Sequence, residues 1–334
     1  MRVARFLLAL AVLGPAVAGA SVDSETRAAA GKPQAQQVPW RNSTIVYEHA
    51  TTVRTAVADW DLTYDPIYVH TLSLRPEWHF SENFFTRFRF DLEQELTDSD
   101  YTTKKREILW SDLFVEFGTR SFQEPTTGIV LSGTLRLTVP ISKISASRTM
   151  LFGVSPGIFL TRRFDVLDGL IVRYAVRYSH RFFNSETGEY DDHGIAGCRT
   201  PSCEVFLSTG VRNSPWDITH GPMVILVPTR NITLTTMLSW TYAALYDVAD
   251  FSLDTGGGPE PIPASEDDPN ARYSRTFLVD VTWTATPELF VSTGLTTFAP
   301  ELAPDGTKYP LFFNRHSMVY LSLGVLMDAV LPKL

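Results

Sequence analysis

Charge in this 334-residue chain is set out at every second position. In Phe84–Thr97 one parity reads Phe84, Thr86, Phe88, Phe90, Leu92, Gln94, Leu96. The other reads Phe85, Arg87, Arg89, Asp91, Glu93, Glu95. Arg173, Arg177 and Arg181 form a ladder at four-residue spacing, on one parity with Ile171, Ala175, Ser179 and Phe183. Arg75, Glu77, Asp112, Glu116, Arg136 and Asp280 hold the same kind of position in other runs. Rows of guanidinium and carboxylate groups on one face can set up a local field and bias which solutes pass. They can also pair bidentately with one another and fill the space between them. Within Phe84–Thr97 the sign changes along the run, from Arg87 and Arg89 to Asp91, Glu93 and Glu95. Later runs offer mainly Thr and Ser on the same parity, Asp280 excepted.

The element that positions such rows is the β-strand, whose successive side chains point to opposite faces. The alternation predicts about twelve strands, near 44–54, 68–80, 84–97, 107–118, 128–140, 150–163, 169–183, 219–228, 231–246, 273–284, 288–298 and 315–328. In 169–183 the apolar parity is Leu170, Val172, Tyr174, Val176, Tyr178, His180, Phe182. In 231–246 it is Ile232, Leu234, Thr236, Leu238, Trp240, Tyr242, Ala244, Tyr246. Two candidates are weak: the first alternates poorly, and Met223–Val227 is apolar throughout. Ten or fourteen strands are the neighbouring counts.

Connection lengths alternate too. Short turns fall at 81–83, 165–168, 229–230 and 285–287, with a medium link at 119–127. Longer polar stretches fall at 98–106, 141–149, 184–218, 247–272 and 299–314. Trp78, Phe80, Phe84, Phe164, Trp283 and Phe290 lie beside the short turns. Tyr178, Phe182, Tyr242, Tyr246 and Tyr273 lie near the long ones. Short turns at one end, long loops at the other and an aromatic girdle at each are the pattern of a transmembrane β-barrel.

Residues 1–20 read as a cleaved signal peptide: Arg2 and Arg5, the apolar stretch Phe6–Leu13, then small residues through Ala20. Its removal takes away two arginines and no acid, moving the formal net charge from −8 to −10. An acidic balance argues against a nucleic-acid partner. Residues 21–42 read as a flexible periplasmic lead-in and 43–334 as one domain. Cys198 and Cys203, the only cysteines, sit in a turn-rich stretch of an exported chain and are expected to form a local disulfide.

With its alternation, loop pattern and export signal, the chain resembles the Gram-negative outer-membrane β-barrel superfamily, porin-like in general plan. The last residues, Leu331-Pro332-Lys333-Leu334, depart from the terminal Phe or Trp common in such barrels. The resemblance implies an all-β, antiparallel up-and-down barrel facing outer-membrane lipid. It implies passive passage of a small hydrophilic solute through a lumen lined by Arg75, Glu77, Arg87, Arg89, Asp91, Glu93, Glu95, Asp112, Glu116, Arg136, Arg173, Arg177, Arg181 and Asp280. A closed structural or adhesive barrel whose external loops bind a partner is the first alternative. An outer-membrane hydrolase is the second, but His316 and Ser317 are adjacent and so face opposite ways on a strand. No metal site or cofactor is expected: the carboxylates of 247–272 match no calcium-loop spacing, and no zinc-type spacing surrounds the cysteines. Oligomeric state carries no signal, because an association patch and a lipid-facing patch read alike.

Overall fold

A computed structural model describes residues 38–53, 67–97, 106–190, 207–247, 251–254, 259–262, 270–302 and 306–331. The expected signal peptide, most of the lead-in, and Cys198 and Cys203 lie outside them. Twelve long strands form the wall. They are β1 (Thr44–Thr52), β2 (Tyr68–Arg75, resumed as Glu77–His79 after Pro76), β3 (Phe84–Glu95), β4 (Leu113–Gln123), β5 (Val130–Val139) and β6 (Met150–Phe164). The second half is β7 (Gly169–Phe183), β8 (Trp216–Thr229), β9 (Ile232–Ala244), β10 (Ala271–Thr284), β11 (Leu289–Pro300) and β12 (Ser317–Leu326). Each pairs antiparallel with its sequence neighbour, and β1 pairs with β12 from Thr44↔Leu326 to Thr52↔Met318. The sheet is therefore a closed barrel without a free edge. Strands about 4.8 Å apart and tilted by about 40° give twelve of them a backbone radius of about 12 Å.

Closure turns the alternation into an inside and an outside. On β7, Val172 and Val176 are 37 % and 40 % exposed, whereas Ile171 is 3 % exposed. Leu234, Val279, Val281, Leu321 and Leu323 continue the exposed apolar skin. Such an arrangement inverts that of a water-soluble domain and is stable where the outer skin meets hydrocarbon. Trp78, Phe80, Phe84 and Trp283 stand exposed at the short-turn end. Near the other end an aromatic belt runs through Phe152, Phe182, His180, Tyr178, Trp216, Tyr242 and Tyr273. Phe290 departs from its expected place in the girdle. It is buried inside the barrel with its ring over Gly324, where an added Cβ would meet it at 1.8 Å. The strand's outer parity runs through Leu289 and Val291, so Phe290 has to point inward.

The two weak strands are regular. In β1 the inner parity is Val46, Glu48, Ala50 and Thr52, all buried, and the outer parity is Tyr47, His49 and Thr51. In β8 Ile225 and Val227 are buried inward while Val224 faces out. Both lose their alternation because the inner face is locally apolar. The fourth strand lies further along than expected, at 113–123, and only Ile108–Trp110 pairs with β3 ahead of it. Two long connections contain small hairpins, Thr187–Tyr190 with Leu207–Arg212 and Phe251–Asp254 with Pro259–Ile262. The stretch before β6 holds a short helix, Lys143–Ser147, capped by Ser142.

Candidate functional site

The inner faces of β3–β7 carry one connected ionic network. Glu116 on β4, 5 % exposed, takes Arg136 from the next strand (Nε at 3.0 Å, Nη2 at 2.9 Å) and Arg177 from β7 (Nη2 at 3.0 Å). Arg87 of β3 adds its Nη1 at 3.6 Å. Arg177 reaches Glu116 past β5 and β6, which is short only along a chord on the concave side. Arg87 also donates to Glu77 on β2 (Nε to Oε2, 2.7 Å), and Glu77 hydrogen-bonds with His79 (2.7 Å) and accepts from Asn42 (2.9 Å). Arg173 donates to Thr161 (3.2 Å), and the guanidiniums of Arg173 and Arg177 lie 5.7 and 5.9 Å from the centre of the Phe159 ring. Between β3 and β4, Phe85 lies over Gly118, where an added Cβ would sit 2.0 Å from the ring.

Across the barrel the chemistry differs. β1 stands six strands from β7 in the twelve-strand ring, on the opposite wall. There Glu48, Thr71 and Glu93 form one transverse row through β1, β2 and β3. Asp91 and Glu95 flank Glu93 on its own face. Asp91 takes Arg89 Nε at 2.9 Å, and Glu95 accepts from Thr97 (2.7 Å). Arg75 and Arg89 are the cations acting on Glu48, and Asp91 and Asp280 its neighbouring carboxylates. Asp280 of β10, 0 % exposed, accepts from the Tyr320 phenol and from Thr282, each at 2.7 Å. Thr282 in turn shares a 2.7 Å hydrogen bond with Ser292. Beside them Ala50, Ile67, Val69, Leu278, Met318 and Tyr320 pack as an apolar cluster. The wall opposite the arginines is thus polar in part and closely packed, rather than simply lined with Ser and Thr.

Fourteen residues were expected on the inner face, and two of them have partners near the long-connection end of the barrel. Asp112 accepts from Ser142 N (3.0 Å) and Ser145 Oγ (2.6 Å), anchoring the short helix of the following connection. Arg181 forms an ion pair with Asp217, which the sequence pattern had left in a loop. Glu48, Asp217, Phe159 and Tyr320 complete the arrangement without having been expected in it. Glu48 shares its parity with Val46 and Ala50, so nothing in the local alternation marks it. At the far end of β4, the turn carboxylate of Glu124 accepts from Thr127 Oγ1 and from the backbone N–H groups of Thr126 and Thr127. Those bonds hold its pKa down at about 2.

No protein-family model and no curated protein matches the sequence. Among solved structures the chain is similar to the COG4313 outer membrane channel from Pseudomonas putida F1, at 13 % identity and a TM-score of 0.51, over 89 % of this chain and 99 % of that one. It is also similar to the NanC porin (9 % identity, TM-score 0.42, 85 % and 98 % covered) and the KdgM porin (9 %, 0.38, 84 % and 98 %). At such identities the likeness is one of fold, a closed antiparallel β-barrel.

Proposed function

We propose that this protein is an outer-membrane channel for passive passage of small hydrophilic solutes through a charge-lined lumen. The single observation that carries the reading is the gathering of charged side chains on the inner face of a barrel whose outer face is apolar. Arg136, Arg173 and Arg177 lie on β5 and β7, Glu116 lies on β4, and Glu48, Glu93 and Asp280 lie on β1, β3 and β10. Rows of opposite sign on an inner face set up a local field and bias which solutes pass. An apolar skin outside and ionised groups inside match a barrel inserted in the outer membrane after export. The test is reconstitution of the purified full chain in a planar bilayer. Discrete conductance steps are expected, and silence at all voltages overturns the reading.

One observation favours a second reading, a closed barrel that acts through its external loops. Tyr320, Asp280, Met318 and Leu278 are almost fully buried on one side of the interior. Twelve strands stand between eight, where side chains fill the interior, and sixteen, where a water channel is left. Under this reading the bilayer stays silent while the protein is fully folded.

A further inference from the structure

One part of the outer skin is hollow. Phe84, Thr119 and Gly133 lie side by side on the outward parity of β3, β4 and β5, and Phe117 and Leu135 lie side by side in the next row. With Phe80 they line an open cleft of about 540 Å³ beside the short turn between β2 and β3. Phe80, Phe84, Phe117 and Leu135 are exposed and form its walls, while Thr119 and Gly133 keep its floor low. Among the described residues no charged one lines it. Gly133 is the unusual part of the floor. A glycine inside a strand weakens it, and commonly marks a bulge, a bend or the close approach of another group. The register shift after Thr119 falls on β4, and Gly133 itself is paired on both sides, with Thr119 and with Ile158. A Cβ on Gly133 would meet nothing nearer than the Gly157 carbonyl oxygen at 3.8 Å, whereas each other described glycine of the twelve wall strands would meet an atom at 3.5 Å or closer. Gly118, its inward counterpart, makes room for the Phe85 ring. Among the described residues nothing fills the space that Gly133 leaves.

We propose that this cleft holds one acyl chain of a phospholipid from the leaflet on the short-turn side. The cleft is continuous with the exposed apolar skin of Leu131, Leu135, Ile158 and Leu160, the surface that meets hydrocarbon. Lipid tails are as apolar as these side chains, so no hydrophobic drive separates one tail from its neighbours. Dispersion does. An unfilled hollow forfeits the attraction of its walls, and a flexible chain recovers it by lying over Gly133 between the Phe84 and Phe117 rings. A second barrel would meet this one convex face to convex face, and reaches a hollow below the skin less readily than a single chain. The site goes beyond the channel reading: it needs the barrel to stand in a bilayer, whether or not the lumen conducts.

The experiment is native mass spectrometry of the detergent-folded full chain titrated with dioleoyl phosphatidylethanolamine. One lipid is expected to stay bound under activation that strips the rest. In Gly133→Leu, whose side chain occupies the floor, its affinity should fall by about tenfold. Thr236→Leu places the same side chain at an exposed outward position of β9 and should leave retention unchanged. No retained lipid in the wild type, equal retention in Gly133→Leu, or an equal loss in Thr236→Leu overturns the site. A wild-type dimer that Gly133→Leu turns into a monomer makes a second copy the occupant, and also overturns it. Heat-dependent gel mobility checks that Gly133→Leu folds; if it does not, Thr119→Leu fills the same floor from the next strand and carries the comparison. The cleft lies outside the lumen, so a silent bilayer removes the channel and leaves the site, and conductance steps without a retained lipid do the reverse.

Discussion

On the inner face of β4–β7 three arginines share the carboxylate of Glu116, and on the opposite face Asp280 is held by a phenol and a threonine hydroxyl. Both carboxylates are removed from water, but their partners differ in kind. Glu116 is stabilised by opposite charge, through the long side chains of Arg87, Arg136 and Arg177. Asp280 is stabilised by neutral donors and sits against an apolar cluster, so its wall is tight and short-chained. A buried charge needs compensation in either case. Compensation by arginine ties several strands together through one carboxylate, and compensation by hydroxyls needs only close neighbours.

The comparison breaks most visibly at Glu116. Glu116→Ala leaves three guanidiniums facing one another and is expected to cost about 3 kcal/mol, the scale of breaking a buried ion pair. Urea titration of the heat-dependent gel shift measures it, and a loss below about 1 kcal/mol would mean water screens the network. Charge reversal comes next: Arg173→Glu with Arg177→Glu should move the reversal potential in a KCl gradient toward cation preference. An unchanged potential would remove this wall from the selectivity.

A smaller effect sharpens the contrast on the other side. Tyr320→Phe removes one hydrogen bond to buried Asp280 and should cost about 1–2 kcal/mol. It should leave ion selectivity alone, because it alters no charge; a selectivity change would show that the packed wall also lines the path. The smallest effect lies outside the lumen, at the turn after β4. Glu124 is depressed to about 2 from the ordinary 4.5, so its contribution is present above about pH 4.5 and fades as pH falls through 2. Carbon-13 chemical shifts of the Glu124 carboxyl should titrate with a midpoint near 2, and in Thr127→Ala the midpoint should rise toward 4.5.

Legibility varied with the neighbours of each residue. The ladder Arg173, Arg177, Arg181 was readable because Val172, Val176 and Tyr178 alternate with it, and the structure exposes the latter set. Glu48 was not, because Val46 and Ala50 share its face and pack in apolar clusters, Val46 with Phe290 and Leu326 and Ala50 with Val69, Leu278 and Met318. Asp217 was read as loop because its strand begins at Trp216, ahead of the expected 219, and Asp112 lies just ahead of the strand that begins at Leu113. Near the end of a strand, parity no longer says whether a side chain turns inward or caps the next connection. The two hairpins in the long connections were invisible against their polar composition.

Sequence by itself determined the period-two pattern and which parity is ionised, since these depend on each residue's own side chain and its neighbours two positions away; the count of twelve among ten, twelve and fourteen came from the closed sheet. Only the tertiary structure decided which charges meet. Glu116 and Arg177 lie 61 positions apart, and Asp280 and Tyr320 lie 40 apart. Those distances along the chain become single hydrogen bonds through ring closure and strand register, which the sum of all twelve pairings sets and no local run of residues contains.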